Sequence, residues 1–418
     1  MPDLPLTWSE LESHASPEPD RSVGPTNPQA DLRLFDHPEG AVRVTLFRDH
    51  HAWCPYCQKV WLWLEERRIP HRIRKVTMFC YGEKEAWYQR LVPSGMLPAV
   101  ELDGRLITES DRILESLEAA FGCLGPGMRE PEVLPLRRLE RQLFQAWCQW
   151  LCYPHSPRSA AASAQFCRVA EAMEQALLAQ GGPFLMGSEL STADLVFVPY
   201  VERMNASLAY YKGYLLRQRH PALHRWFSAL EQRSTYLGTQ SDFHTHAHDL
   251  PPQMGGCFPN GLPEQQRLAA RIDQGPWPIG ETLVLDPETS QHEPEDASAV
   301  ALARVLKHRR TLVSRYKLPG DLFDQALRAA LTHLVRVLDI PPPAGSATAL
   351  RALRDRISVP RDMPLHAARR LRQALERTAT LDPLDPTGQG PALPLQHRRD
   401  QDPAPFLRAA AQSRSAVL

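Results

Sequence analysis

The chain has 418 residues, enough for two to four domains at about 100–200 residues each. Lys plus Arg and Asp plus Glu both number 48, a balance that argues against a polyanion partner or a charged membrane surface. Eight cysteines at uneven spacing do not make a secreted disulfide framework, and no apolar stretch approaches the roughly 20 residues of a transmembrane helix, so neither a nucleic acid nor a membrane is expected as partner.

The opening segment Met1-Pro2-Asp3-Leu4-Pro5-Leu6-Thr7-Trp8 lacks the basic flank and apolar core of a signal peptide. Acidic residues at Glu10, Glu12, Glu18, Asp20 and Asp31 argue against an organelle transit peptide, so the reading is a cytoplasmic protein kept reduced. Residues 1–40, rich in Pro, Ser, Glu and Asp, read as a flexible or wrapped N-terminal arm.

The run Val42-Arg43-Val44-Thr45-Leu46-Phe47 alternates as a half-buried strand, and Gln58 to Glu66 has helical composition with no breaker until Pro70. Between them stands Cys54-Pro55-Tyr56-Cys57, the sequence form of a dithiol redox site. Its first thiol falls at a helix N-terminus, where orphan N–H groups and the positive dipole end favour a thiolate. Pro55 suits the first helical turn, where its missing N–H costs nothing. Cys54 is therefore the candidate nucleophile and Cys57 the candidate resolving thiol. Half of a zinc site is the competing reading, but structural zinc takes four ligands and no second Cys-x-x-Cys completes the set. A merely structural pair of buried cysteines fits poorly with the polar turn residues around them.

After Pro70, Arg72-Ile73-Arg74-Lys75-Val76-Thr77 alternates as a second strand, closing a βαβ unit. Leu97-Pro98 before Ala99-Val100-Glu101-Leu102 fits a proline held cis. Asp103-Gly104 between that run and Arg105-Leu106-Ile107-Thr108 signals a hairpin. Glu109-Ser110-Asp111 then opens a helix through Phe121. This domain occupies 41–122, and Gly122 to Gly127 marks a linker. Helical segments follow near 134–152, 160–180, 192–211 and 221–232, within a domain of 130–240. Cys148 and Cys152, at i and i+4, share a helix face beside Trp147 and Trp150; packing is their first reading and a second redox pair the alternative.

His244, His246 and His248 alternate in a stretch that reads as extended, so their imidazoles would share one face and could ligate a metal. The competing reading of 241–290 is a His- and Pro-rich tether. Residues 291–381 carry apolar residues at helical spacing over Ala297–Lys317, Asp321–Ile340, Ala347–Ile357 and Pro364–Thr380, a helical extension with an excess of Lys and Arg. Aromatics do not interleave with those basic residues, so packing or partner docking is favoured over nucleic-acid binding. Residues 382–418 read as a disordered tail.

The motifs Cys54-Pro55-Tyr56-Cys57, Met96-Leu97-Pro98-Ala99-Val100 and Glu109-Ser110, in that order, resemble the glutathione-binding domain of a cysteine-type glutathione S-transferase. Phe184-Leu185-Met186-Gly187 and Ser191-Thr192-Ala193-Asp194-Leu195 resemble the capping-box segment of that family's all-helical second domain, with Ser191 and Asp194 exchanging capping bonds. Together with the long extension, the motif resembles the iota-like class of photosynthetic lineages. The resemblance spans roughly 42 to 240. It implies an α/β thioredoxin-like N-terminal domain (a mixed four-stranded sheet with helices), an all-α transferase domain, and an additional α-helical extension.

It also implies a site. Cys54 would face the glutathione sulfur. The backbone of Leu97, before Pro98, would pair with the cysteinyl backbone. Glu109 and Ser110 would grip the γ-glutamyl end, and Lys84 the glycyl carboxylate, although a solvated Lys84 is the plainer reading. The implied activity is a glutathione-dependent thiol–disulfide oxidoreductase or thiol transferase acting on glutathionylated proteins, small disulfides or dehydroascorbate, with glutathione as co-substrate. The alternative is a non-enzymatic module of the same fold that binds a hydrophobic ligand, or an iron–sulfur cluster held by Cys54 and glutathione in a homodimer.

Overall fold

Two alternating apolar runs become the centre of a mixed sheet. The computed structural model describes residues 4–154, 158–273, 286–316, 318 and 320–385. After α1 (Trp8–Glu12), strands β1 (Leu32–Arg33), β2 (Val44–Asp49), β3 (His71–Val76), β4 (Ala99–Leu102) and β5 (Arg105–Thr108) form one sheet in the order β1-β3-β2-β4-β5. β2 and β3 run parallel from Val44↔His71 to Asp49↔Val76, joined by α2 (Pro55–Glu66). β4 pairs antiparallel with both β2 and β5. The hairpin turn places Asp103 at φ 51° and Gly104 at φ 78°, the two positive values that a two-residue type I′ turn requires. Four strands were expected and five are present, because the two-residue β1 adds an antiparallel edge to β3. A strand of two residues is too short for alternation to announce it.

Residues 19–40 are fixed around a buried carboxylate. Glu65 accepts from Arg33 at 3.0 Å, from the Thr26 hydroxyl at 2.8 Å and from the Trp61 indole at 3.2 Å.

Helices α3 (Ala86–Leu91) and α4 (Ser110–Phe121) complete this domain. The helical domain follows with α5 (Val133–Leu151), α6 (Arg158–Ala179), α7 (Thr192–Lys212), α8 (Leu216–Arg219), α9 (Pro221–Leu230), α10 (Ser234–Thr239), α11 (Phe243–Met254) and α12 (Pro263–Asp273). α7 is buried along its whole length, its polar and charged side chains included, and α2, α5 and α11 pack around it. Its start is held by Asp194, whose carboxylate accepts from the Ser191 N–H (3.0 Å) and hydroxyl (2.7 Å), the Leu185 N–H (2.8 Å) and the Trp226 indole (2.9 Å).

The His-rich segment is not extended. Asp242 caps α11 by accepting from the Thr245 N–H at 2.8 Å, and the helix continues through Pro251 and Pro252. Helical geometry sends His246 to Glu202, 2.9 Å away, while the rings of His244 and His248 pair at 4.6 Å on another side. The three imidazoles therefore do not converge.

The chain divides into two compact units. The sheet and the helical domain form one, Pro19–Ala269 with Leu283–Gln291; the other takes the described residues of Met1–Glu18, Ala270–Thr282 and His292–Leu418. In the second unit α13 (Ala297–Arg315), α14 (Leu322–Arg336), α15 (Ala347–Arg356) and α16 (Leu365–Ala379) share a core of Leu302, Phe323, Leu327, Leu331, Leu350, Leu371 and Leu375. Leu6 and Leu11 join that core, and the Leu6 N–H donates to the Thr332 hydroxyl at 2.9 Å. Of the stretch expected to be a disordered tail, Asp382 is ordered and accepts from the N–H groups of Gly345 (2.9 Å) and Ala347 (2.8 Å), and Asp385 pairs with Arg351. Residues 386–418 lie outside the described residues. Among the described residues, no helix is long and apolar enough to cross a membrane.

Asp194 satisfies four donors in a dry place, so Asp194→Ala should lower the unfolding free energy of the helical domain by about 2–4 kcal/mol. Urea unfolding followed by tryptophan fluorescence reads this directly. A change under about 0.5 kcal/mol, the size of an ordinary surface substitution, would contradict the role given to the carboxylate.

Candidate functional site

Cys54 is the N-cap of α2 and Pro55 its first residue. The backbone around Cys54 is fixed from two directions. Asp49, at the end of β2, accepts the Trp53 N–H at 2.6 Å, and Arg203 of α7 donates to the Trp53 carbonyl at 2.5 Å. Arg203 also donates to the Gln58 side chain at 2.8 Å and to the Pro199 carbonyl at 2.6 Å, so the first turns of α2 are tied to the helical domain.

The second thiol sits behind the first. Cys57 is buried on the first turn of α2 and hydrogen-bonded to Cys54. Burial foremost, then the hydrogen bond and charge of Cys54 and the charge of Asp49, push the Cys57 thiol well above its ordinary range. The pair is therefore asymmetric, with Cys57 held as the thiol. Asp49, Cys54 and Cys57 bring one oxygen and two sulfurs within 4.8 Å of one another. That is one ligand fewer than a closed structural zinc site takes.

Cys54 opens into a cavity of about 210 Å³. Its walls come from the sheet domain (Met78, Phe79, Lys84, Met96, Leu97), from α5 and α7 (Phe144, Trp147, Tyr200) and from α11 (Leu250, Gln253, Met254). Lys84 bridges to the Thr77 carbonyl at 2.8 Å, and burial pulls its ammonium below the usual range against the opposing pull of Cys57 and Cys54. Gly95 makes room for it, since a Cβ at that position would stand 3.2 Å from Lys84 Cδ. Cys54, Lys84 and Leu97 thus line one cavity, whereas Cys57, Pro98, Glu109 and Ser110 do not.

The Leu97–Pro98 peptide is cis. Glu109 is exposed and caps α4 at φ 68°, a left-handed value that a side chain rarely adopts, while Ser110 is buried as the first residue of that helix. Strained backbone of this kind concentrates at functional sites. Asp49, Arg203 and the α11 wall were missed by sequence reasoning. For Asp49 a signal existed: a carboxylate closing the strand, five residues before Cys54.

Residues 53–120 match the model of the glutathione S-transferase N-terminal domain, and residues 156–229 match that of the glutathione S-transferase C-terminal domain. The two stretches are thus a transferase N-terminal and a transferase C-terminal domain, with extra helices beyond them. Glutathione S-transferase DHAR2 of Arabidopsis thaliana is 24% identical over 188 residues, 45% of this chain and 84% of that protein. Glutathione S-transferase L3 of the same plant is 27% identical over 192 residues, 45% of this chain and 79% of that protein. The solved structure of glutathione transferase URE2P6 from Phanerochaete chrysosporium, in complex with oxidized glutathione, is 22% identical, covers 47% of this chain and 94% of that chain, and has a TM-score of 0.39.

The raised Cys57 thiol makes stability depend on pH. An unfolded cysteine loses its proton near pH 8.5, whereas folded Cys57 keeps it to higher pH. Its contribution is therefore fully present below about pH 8.5 and lost above it, by up to about 1.4 kcal/mol per pH unit. Urea midpoints from pH 8 to 10.5 should show that decline, and Cys57→Ala should remove close to one proton from the slope. An identical slope in the variant would contradict the placement of Cys57.

Proposed function

We propose that this protein is a glutathione-dependent thiol–disulfide oxidoreductase, a cysteine-type transferase whose Cys54 forms a mixed disulfide with glutathione. The observation that carries the reading is the asymmetric pair at the start of α2: one thiol opens into an apolar cavity and the other is buried behind it as its hydrogen-bond partner. A hydroxyl at the position of Cys54 would steady a glutathione thiolate for conjugation, whereas a cysteine there becomes linked to it. Relatives named for dehydroascorbate reductase and lambda-type transferases agree with reduction rather than conjugation. The Cys-Pro-Tyr-Cys motif and the helical extension favour an iota-like member.

In the proposed cycle the Cys54 thiolate attacks the glutathione sulfur of a mixed-disulfide substrate and releases the substrate thiol. The apolar walls around Phe144, Tyr200 and Met254 receive the substrate portion. Leu97 pairs with the cysteinyl backbone of glutathione, Glu109 and Ser110 bind its γ-glutamyl end at the start of α4, and Lys84 meets its glycyl carboxylate. A second glutathione then displaces the first from Cys54 and restores the thiol. By the other route Cys57, once it has lost its proton, displaces the first glutathione and forms a Cys54–Cys57 disulfide, which two further glutathione molecules reduce to the dithiol.

Cys54→Ser should abolish exchange, because a serine hydroxyl is not ionised at neutral pH and forms no disulfide. Cys57→Ser should keep part of the turnover, since glutathione can resolve the intermediate. Substantial activity in Cys54→Ser, measured with a glutathionylated peptide, would sink the assignment. Complete loss in folded Cys57→Ser would instead make the dithiol route obligatory.

Ser110→Ala tests the glutathione grip separately. The contact is remote from the sulfur and is made equally in the ground and transition states, so KM should rise while kcat stays nearly constant. Losing a charge-assisted hydrogen bond costs about 1.5–3 kcal/mol, a rise of roughly ten- to a hundredfold. An unchanged KM would remove Ser110 from the γ-glutamyl pocket.

A further inference from the structure

A second group of thiols is gathered at the C-terminal end of α5. Cys148 and Cys152 lie one turn apart there, and Cys152 is the cap residue, with its N–H bonded to the Cys148 carbonyl at 2.9 Å. The third thiol arrives from beyond α11. The Phe258 N–H donates to the Leu151 carbonyl at 3.0 Å, and Lys212 Nζ donates to the Phe258 carbonyl at 2.7 Å. Asn260 secures the same segment through its N–H to the Tyr211 carbonyl and its side-chain amide to the Lys212 carbonyl, both at 2.9 Å. These bonds seat Cys257 beside Cys152, whose sulfur is hydrogen-bonded to both Cys148 and Cys257.

The charge is concentrated on the middle sulfur. Hydrogen bonds from Cys148 and then Cys257, opposed by burial and assisted by the Lys212 ammonium, bring the Cys152 thiol down to about 4. The negative end of α5 acts against that charge, and Lys212 is the cation that offsets it. The same hydrogen bonds, with burial, push Cys148 and Cys257 up. Cys152 is half-buried and Cys257 buried, so an incoming reagent meets Cys152 first.

Helix geometry decides which pair can close. Side chains at i and i+4 keep their Cβ atoms about 5–6 Å apart, whereas a disulfide needs about 3.5–4.5 Å. Closing Cys148 onto Cys152 would unwind the last turn of α5. Cys257 lies outside any helix, after Gly255 and Gly256, and has no such restraint.

We propose that Cys152 and Cys257 form a second redox site, a dithiol that exchanges with small disulfides such as oxidised glutathione and closes to an intramolecular disulfide. The Cys152 thiolate attacks one sulfur of the disulfide, forming a mixed disulfide and releasing the first thiolate, which takes up a proton. Cys257 then gives up its proton and attacks Cys152 Sγ, releasing the second thiol. The protein dithiol loses two electrons and two protons, and one small disulfide becomes two thiols. Met254, three residues before Cys257, lines the Cys54 cavity, so the disulfide would pin one wall of that cavity. The site needs nothing from Cys54.

The test is made on the full chain carrying Cys54→Ser and Cys57→Ser, with the wild-type chain in parallel, so that the first site contributes nothing and the folding of the variant is not in question. After oxidised glutathione at neutral pH, peptide mass spectrometry should find the Cys152 and Cys257 peptides linked. Adding Cys257→Ser should arrest the reaction at one glutathione on Cys152. Iodoacetamide at pH 5 should label Cys152 at least about tenfold faster than Cys148 or Cys257, the gain in thiolate fraction outweighing the lower nucleophilicity of an acidic thiol. Lys212→Met should slow that labelling by roughly three- to tenfold. Neither adduct nor link at Cys152 in both chains, a link between Cys148 and Cys152, or equal labelling of the three thiols would each overturn the proposal.

Discussion

The arrangement depends most on one buried guanidinium. Arg203 crosses from the centre of α7 to hold the Trp53 carbonyl, one residue before Cys54, and the Gln58 side chain, one residue after Cys57. Leaving such buried acceptors unpaired would cost about 1–3 kcal/mol each. The direction in which Cys54 faces is therefore set by the helical domain as well as by α2. From the sheet side, Asp49 accepts the Trp53 N–H, so the backbone of Trp53 is held at both its N–H and its carbonyl. The same carboxylate adds a negative charge beside Cys57 and helps keep that thiol protonated. Asp49 and Arg203 thus act on the dithiol through backbone geometry and charge, and Arg203 also lines the cavity.

The local architecture was largely legible in the sequence, for reasons that can be named. β2 and β3 alternate, Asp103-Gly104 is a turn with few alternatives, and the helices of the extension repeat their apolar residues at three- and four-residue spacing. Where the reading failed, a short or ambiguous signal met a tertiary constraint. The two residues of β1 carry no period, and their place is decided by pairing with β3 and by the ion pair of Arg33 with Glu65. In the His-rich segment, alternation and two prolines suggested an extended tether. Yet Asp242 was present as a cap, and burial of Phe243, Ala247 and Leu250 against α7 outweighed the local pattern.

The candidate sites divide along the same line. Cys54 and Cys57 are neighbours in the chain, and a helix start needs only a few residues to be recognised. The cavity is assembled from β-domain loops, α5, α7 and α11, so its lining could not be read from any one stretch. The thiol cluster behaves likewise. Cys148 and Cys152 were visible as a pair on one helix face, but Cys257 and Lys212 reach them only through hydrogen bonds to the ends of α5 and α7.

The second unit has a consequence for biosynthesis. Its core takes Leu6 and Leu11 from the beginning of the chain and α13 to α16 from nearly three hundred residues later. At about 5–20 residues per second, those early leucines leave the ribosome at least roughly 15 seconds before the helices they pack against. The intervening unit, whose contacts lie mostly within its own stretch of chain, can fold during that wait. The nascent protein thus carries an exposed apolar segment while the intervening unit is already folded, and the last helices complete the surface that Leu6, Trp8 and Leu11 have been waiting to meet.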